Sequence, residues 1–291
     1  MDTLHPSLEQ FEAELTRQGK APATRRGYLA DLRDFAAWVQ QTYGEPFDPA
    51  RLVREDVRAY RAHLLTVKRQ KPATINRKLA ALGTFCRWAV SEGLLQNDPT
   101  DSIENVRQAQ PPPRALDATD LRRLVRRAQQ SGNPLHVAVI TVLANTGLRV
   151  SELCGMELRD IEMSARKGKI TVIGKGEKPR EIPLNAETRR ALREYLAVRP
   201  AADELQVFIG QRGPLTESGV WRIVRKYAHL AGLEDISPHT LRHTFATRLL
   251  REAHTDLTTV ADLLGHADVR TTTRYTRPNQ ADRERAVEAL L

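Results

Sequence analysis

The chain has 291 residues, 41% of them hydrophobic, which is enough for two domains that each bury a core. It shows no apolar run of membrane-spanning length and no hydrophobic signal core in Met1 to Gln10, so a membrane-spanning protein is excluded and a cytoplasmic one is expected. A net charge of +9 asks for a polyanionic partner, while two cysteines, Cys86 and Cys154, both in apolar surroundings, exclude a disulfide scaffold or a Cys-based metal site.

Residues 1–105 read as an all-helical bundle. Leu8, Phe11 and Leu15 fall in helical register from Pro6 to Arg17, and Gly19 ends that helix. A second helix starts near Pro22 with Tyr28, Leu32, Phe35 and Val39 on one stripe; a third opens at Glu55-Asp56; a fourth runs from Pro72 through Ile75, Leu79, Leu82 and Phe85. From Arg51 to Lys78 there are nine basic residues against two acidic ones. A solvated helix face normally interleaves both signs, so this separation favours a phosphate backbone as partner. Arg58, Arg61, Lys68, Arg69, Lys71, Arg77 and Lys78 are the candidate contacts. The next stretch, 106–115, contains Pro111-Pro112-Pro113 and reads as an extended, semi-rigid linker.

Residues 116–291 return to helical periodicity, with one β-rich interruption. Helices are expected after the cap at Asp117, over Pro134 to Asn145, Val150 to Glu157, Ala186 to Val198, Thr216 to Ala231, His239 to Glu252, Asp256 to Leu264 and Ala281 to Leu291. Lys169 to Ile173 and Arg180 to Leu184 flank Gly174-Lys175-Gly176 and read as a hairpin with Lys175 at its tip.

Chemistry-bearing residues concentrate near the end of the chain. Ser237-Pro238 starts a helix on which His239, Arg242 and His243 are spaced i, i+3 and i+4, so two imidazoles and a guanidinium share a face. A fixed guanidinium near a helix N-terminus suits a phosphate. Taken alone, that heptapeptide fits an ordinary capped amphipathic helix equally well. Further on come Leu264-Gly265-His266 and Tyr275, the latter in the polar segment Thr271-Thr272-Thr273-Arg274-Tyr275-Thr276-Arg277, where a core tyrosine would be out of place. No Asp/Glu cluster suggests a catalytic magnesium site.

With Thr146-Gly147-Leu148-Arg149-Val150-Ser151-Glu152, these stretches resemble, in order and spacing, the tyrosine recombinases of the phage-integrase family, most nearly the two-domain Xer type. Thr24-Arg25-Arg26-Gly27-Tyr28 and Ala73-Thr74-Ile75-Asn76-Arg77 extend the resemblance to that family's core-binding domain and add Arg25 and Arg26 to the DNA-facing set. The resemblance implies a mainly α fold: a four-helix SAM-like core-binding bundle (1–105), a linker (106–115), and an α-helical catalytic domain (116–291) with a small antiparallel sheet, forming a C-shaped clamp around DNA. It implies cutting and rejoining of double-stranded DNA at core sites without a cofactor. Tyr275 would be the nucleophile. Arg149 and Arg242, with His266, would stabilise the transition state, and His239 would accept or position a proton. Lys175 would protonate the leaving hydroxyl, and Glu152 and His243 would support the site. Four protomers would assemble on two sites through residues 281–291. A type IB topoisomerase, a telomere resolvase and a non-catalytic DNA clamp are the competing readings.

Overall fold

The computed structural model describes residues 5–107, 115–173, 179–201 and 204–265. The chain divides into two compact units, Met1–Pro111 and Pro112–Leu291, and the division falls inside the proline run.

The first unit is built from α1 (Pro6–Arg17), α2 (Pro22–Tyr43), α3 (Arg54–Thr66) and α4 (Pro72–Ser91), the four helices expected from the apolar spacing. Proline opens α1, α2 and α4, where its missing N–H has no intrahelical carbonyl to lose. Gly44 ends α2 in the left-handed conformation, φ 76°. Phe11, Phe35, Tyr60 and Phe85 are all but inaccessible, and their rings meet edge-on, with Phe35 and Tyr60 centroids 4.9 Å apart.

Two acidic side chains of α2 lie at the edge of this core, Asp31 buried and Asp34 half exposed. Asp34 accepts from the Tyr60 hydroxyl (2.8 Å) and from Lys78 Nζ (2.6 Å), and Asp31 pairs with Arg77. One polar group thus joins α2, α3 and α4, and burial with the Asp34 hydrogen bond pushes the Tyr60 phenol well above its ordinary range. Lys78, one of the expected backbone contacts, has a side chain that is 9% exposed, and its ammonium is held by Asp34. Beyond α4, the Asn76 side chain exchanges hydrogen bonds with the N–H and C=O of Val106 and pins the departing chain to the bundle.

The second unit is arranged around α6 (Pro134–Thr146), whose residues from Ala138 to Ala144 are all essentially inaccessible. A helix apolar all round must be covered on every side. α5 (Ala118–Gln129), α8 (Ala186–Leu196), α9 (Glu217–Leu230) and α10 (Pro238–Arg251) cover it, with α7 (Val150–Gly155) beside α9 and α11 (Leu257–Leu264) beside α10. Among the described residues there are eleven α-helices. None is long and apolar enough to cross a membrane.

The hairpin expected from the β-branched runs is β2 (Gly168–Ile173) with β3 (Pro179–Pro183), antiparallel, with Val172 opposite Arg180 and Ile170 opposite Ile182. A third strand, β1 (Ile161–Met163), pairs with β2, and two-residue strands β4 (Ile209–Gly210) and β5 (Gly213–Pro214) form a second ladder. Neither was expected, because segments of two or three residues are too short to show a period. The backbone N–H of Leu116, near the start of the second unit, donates to the buried Thr244 hydroxyl of α10 (2.9 Å).

Candidate active site

The site begins where α6 stops. Gly147 takes φ +63°, and a Cβ there would lie 2.4 Å from Phe245 Cδ1 and 2.9 Å from Leu264 Cδ2, so only glycine lets α10 and α11 approach this turn. The turn delivers Arg149 to the N-cap of α7. A guanidinium has no acceptor with which to cap a helix. Glu152, one turn on, accepts instead from the Arg149 backbone N–H (2.8 Å) and from its Nη1 (2.7 Å).

Three guanidiniums then converge on one helix end. Arg180 Nε donates to the Leu263 carbonyl (3.0 Å), Arg242 Nη2 to Leu264 (2.6 Å) and Arg149 Nη2 to Gly265 (3.1 Å). These are consecutive carbonyls at the C-terminus of α11, where helix geometry leaves acceptors unpaired and partial negative charge collects. Arg242 also donates to the Gly147 carbonyl (2.6 Å), so the α6–α7 turn and the end of α11 are held by one side chain. Arg242 is only 3% exposed where it makes these two hydrogen bonds.

Glu152 is the one carboxylate in this group among the described residues, 9% exposed, and Arg180 meets both its oxygens (3.0 and 2.7 Å). Burial raises its pKa, but the hydrogen bonds from Arg180 and Arg149 outweigh that and hold it at about 2 against an ordinary 4.5. A carboxyl whose folded pKa is depressed adds stability above its unfolded pKa and loses it as pH falls toward the folded one. The window here is 4.5 down to about 2, and the contribution at neutral pH is on the order of 3 kcal/mol. The stability deficit of Glu152→Gln against wild type, from urea melts, is expected to narrow as pH is lowered from about 5 to about 3. A deficit constant over that range would show that the carboxylate is not held in this way.

Of the expected site residues, Arg149, Glu152 and Arg242 are brought together. His239 lies one turn before Arg242 on α10 and is exposed, whereas His243 is buried at 5% exposure. Lys175, His266 and Tyr275 lie outside the described residues, as does 281–291. In the first unit Arg26, Arg58, Lys68, Arg69 and Lys71 are exposed, and Arg25 and Arg61 are half-buried. Arg77 keeps 53% side-chain exposure while pairing with Asp31.

Sequence reasoning missed Arg180. The signal was present: in β3 the buried positions alternate, and arginine stands in the inward register of Ile182, a place an ordinary strand gives to an apolar residue.

Comparison with known proteins agrees with this architecture. Residues 114–282 match the phage integrase family and residues 8–94 its N-terminal SAM-like domain. The chain belongs to the phage integrase family. It is 35% identical to Tyrosine recombinase XerC of Thermodesulfovibrio yellowstonii over 89% of this chain and 87% of the relative. It is 36% identical to Tyrosine recombinase XerD of Listeria monocytogenes over 90% of each. Its fold is that of the XerH site-specific recombinase, solved bound to difH substrate before cleavage, with TM-score 0.72 and 22% identity over 96% of this chain and 83% of that one.

Proposed function

We propose that this chain cuts and rejoins double-stranded DNA through a covalent bond to Tyr275, with Arg149 and Arg242 holding the scissile phosphate. At the level of class it is a site-specific tyrosine recombinase. The observation that carries the residue assignment is the meeting of Arg149 and Arg242 on adjacent carbonyls, Gly265 and Leu264, immediately before His266.

The chemistry follows from these residue types. Rejoining DNA without an external energy source requires the phosphodiester energy to be kept in a covalent intermediate. The Tyr275 oxygen attacks phosphorus, the bond from phosphorus to the 5′ oxygen breaks, and a 3′-phosphotyrosyl linkage forms. Two guanidiniums beside the non-bridging oxygens stabilise the charge that builds there, with His266 as a further donor. His239 accepts or positions the tyrosine proton. The departing 5′ oxygen takes its proton from Lys175, and attack by a 5′ hydroxyl from the partner strand reverses every step. The two units correspond to a core-binding and a catalytic domain, and the exposed cations of the first unit contact the DNA backbone in this reading. Such work on DNA belongs in the cytoplasm.

Lys175→Ala is accordingly expected to cleave ordinary DNA slowly, by about 10²-fold or more, and to recover most of the rate on a 5′-bridging phosphorothioate, whose sulfur leaves without a proton. Equal defects on both substrates would remove Lys175 from the role of acid.

Exchange between two sites needs a synapse, which we assign to four protomers linked by residues 281–291. Ala286, Val287, Leu290 and Leu291 make that segment one-sidedly apolar. A groove of about 430 Å³, with Ile182, Pro183, Phe245, Leu249 and Leu263 among its lining and Arg248 and Glu252 also on its wall, offers a largely apolar surface to it. With a target site recovered by sequencing protected DNA, the full chain should recombine two copies of it. Relaxation of supercoils without exchange would favour the topoisomerase reading. Truncation after Gln280 should leave single-site binding intact and abolish exchange; exchange at the full-length rate would overturn the proposed linkage.

A further inference from the structure

We propose that Arg180 is a positioning residue for the phosphate-binding arginines: it holds Glu152 and the end of α11 so that Arg149 is presented to the scissile phosphate with its charge intact. This inference rests on the reading of Arg149 as a phosphate ligand.

Arg180 projects from the inward register of β3, opposite Val172, with its side chain 7% exposed. All three guanidinium nitrogens are engaged within the protein: Nη1 and Nη2 on the two Glu152 oxygens, Nε on the Leu263 carbonyl. Three of its five N–H groups are thus committed inside the protein. Arg149 differs in exposure: 39% of its side chain is accessible, while Nη1 donates to Glu152 and Nη2 to the Gly265 carbonyl. The two arginines therefore divide the labour around one carboxylate, the buried one fixing it and the exposed one drawing its orientation from it.

The sharing also governs charge. Glu152 satisfied by Arg180 at both oxygens neutralises Arg149 only in part. With Arg180 gone, the buried carboxylate has Arg149 as its one charged partner among those now hydrogen-bonded to it, and a bidentate pair would draw that guanidinium inward and quench it. Arg180 further fills the space beneath residue 265. A Cβ on Gly265 would stand 2.8 Å from Arg180 Nη1 and 3.0 Å from its Cζ, so the guanidinium lies directly under the residue that precedes His266.

The test uses the full chain and nicked duplex DNA carrying, at the scissile position, either an ordinary phosphate or a neutral methylphosphonate, with the covalent adduct read on a denaturing gel. Losing a guanidinium that binds a charged oxygen should matter less when that oxygen is replaced by a methyl group. Arg149→Ala is expected to lose about 10²-fold or more on phosphate and to recover much of it on methylphosphonate. Arg180→Met should show the same pattern, with a loss of about 10- to 100-fold on phosphate and a methylphosphonate-to-phosphate ratio at least about tenfold above wild type. Arg180→Lys should fall between; if Arg180→Met does not fold, that variant decides. Wild-type reactivity on phosphate, or an equal loss on both substrates, would reduce Arg180 to a structural role and overturn the inference alone. Absence of an adduct from wild type itself would overturn the recombinase reading and this inference with it.

Discussion

Tyr275→Phe is expected to abolish covalent capture of nicked DNA, by about 10⁴-fold or more, while DNA affinity changes little. The substitution removes a single oxygen, the one proposed to form the bond to phosphorus, and leaves the ring in its polar sequence segment. No neighbouring hydroxyl substitutes readily, because an unperturbed phenol of pKa about 10 is already much easier to ionise than the serine or threonine alternatives. Thr273 and Thr276 flank it, so the control is meaningful. A gel-shift titration measures binding and a denaturing gel measures the adduct. An adduct that persists in the variant would refute Tyr275 as nucleophile.

Replacement of Arg242 should damage both chemistry and fold, and the two effects are separable. Its Nη1 and Nη2 donate to the Gly147 and Leu264 carbonyls at 2.6 Å each, in a setting that leaves the residue 3% exposed. Arg242→Ala strips both acceptors of these donors, at about 1–3 kcal/mol apiece, which in a unit of this size lowers Tm on the order of 10 °C. Loss of the guanidinium from the phosphate costs a further ~10²- to 10³-fold in cleavage. Arg242→Lys isolates the second effect. A lysine keeps the charge but its single ammonium cannot span two carbonyls and a phosphate oxygen as a planar fork does. We expect it to melt closer to wild type and still lose about 10²-fold in cleavage. Cleavage by Arg242→Lys at the wild-type rate would remove the fork from the mechanism.

The helices were legible because their signals are local. Pro6, Pro22, Pro72, Pro134 and Pro238 mark first turns, Asp117, Ser237 and Asp256 cap, and the apolar stripes between them repeat at helical spacing. The hairpin was legible for the same reason. Arg149, Glu152 and Arg242 could be named from motif order, and Glu152 three residues after Arg149 is itself a local pairing.

What the sequence alone could not determine depends on contacts between distant positions. Lys78 looks like one more cation in a basic run, and only the packing of α4 against α2 turns it onto Asp34, 44 residues away. Arg180 looks like a polar residue in a hairpin strand until Glu152 and the Leu263 carbonyl are brought to it. The meeting of Arg149 with Gly265 spans 116 residues and that of Arg242 with Gly147 spans 95. Periodicity specifies which face of an element is apolar and therefore inside. Which charged group meets which carbonyl is decided when those faces close, because buried donors and acceptors must find partners and only the folded chain sets who is within reach.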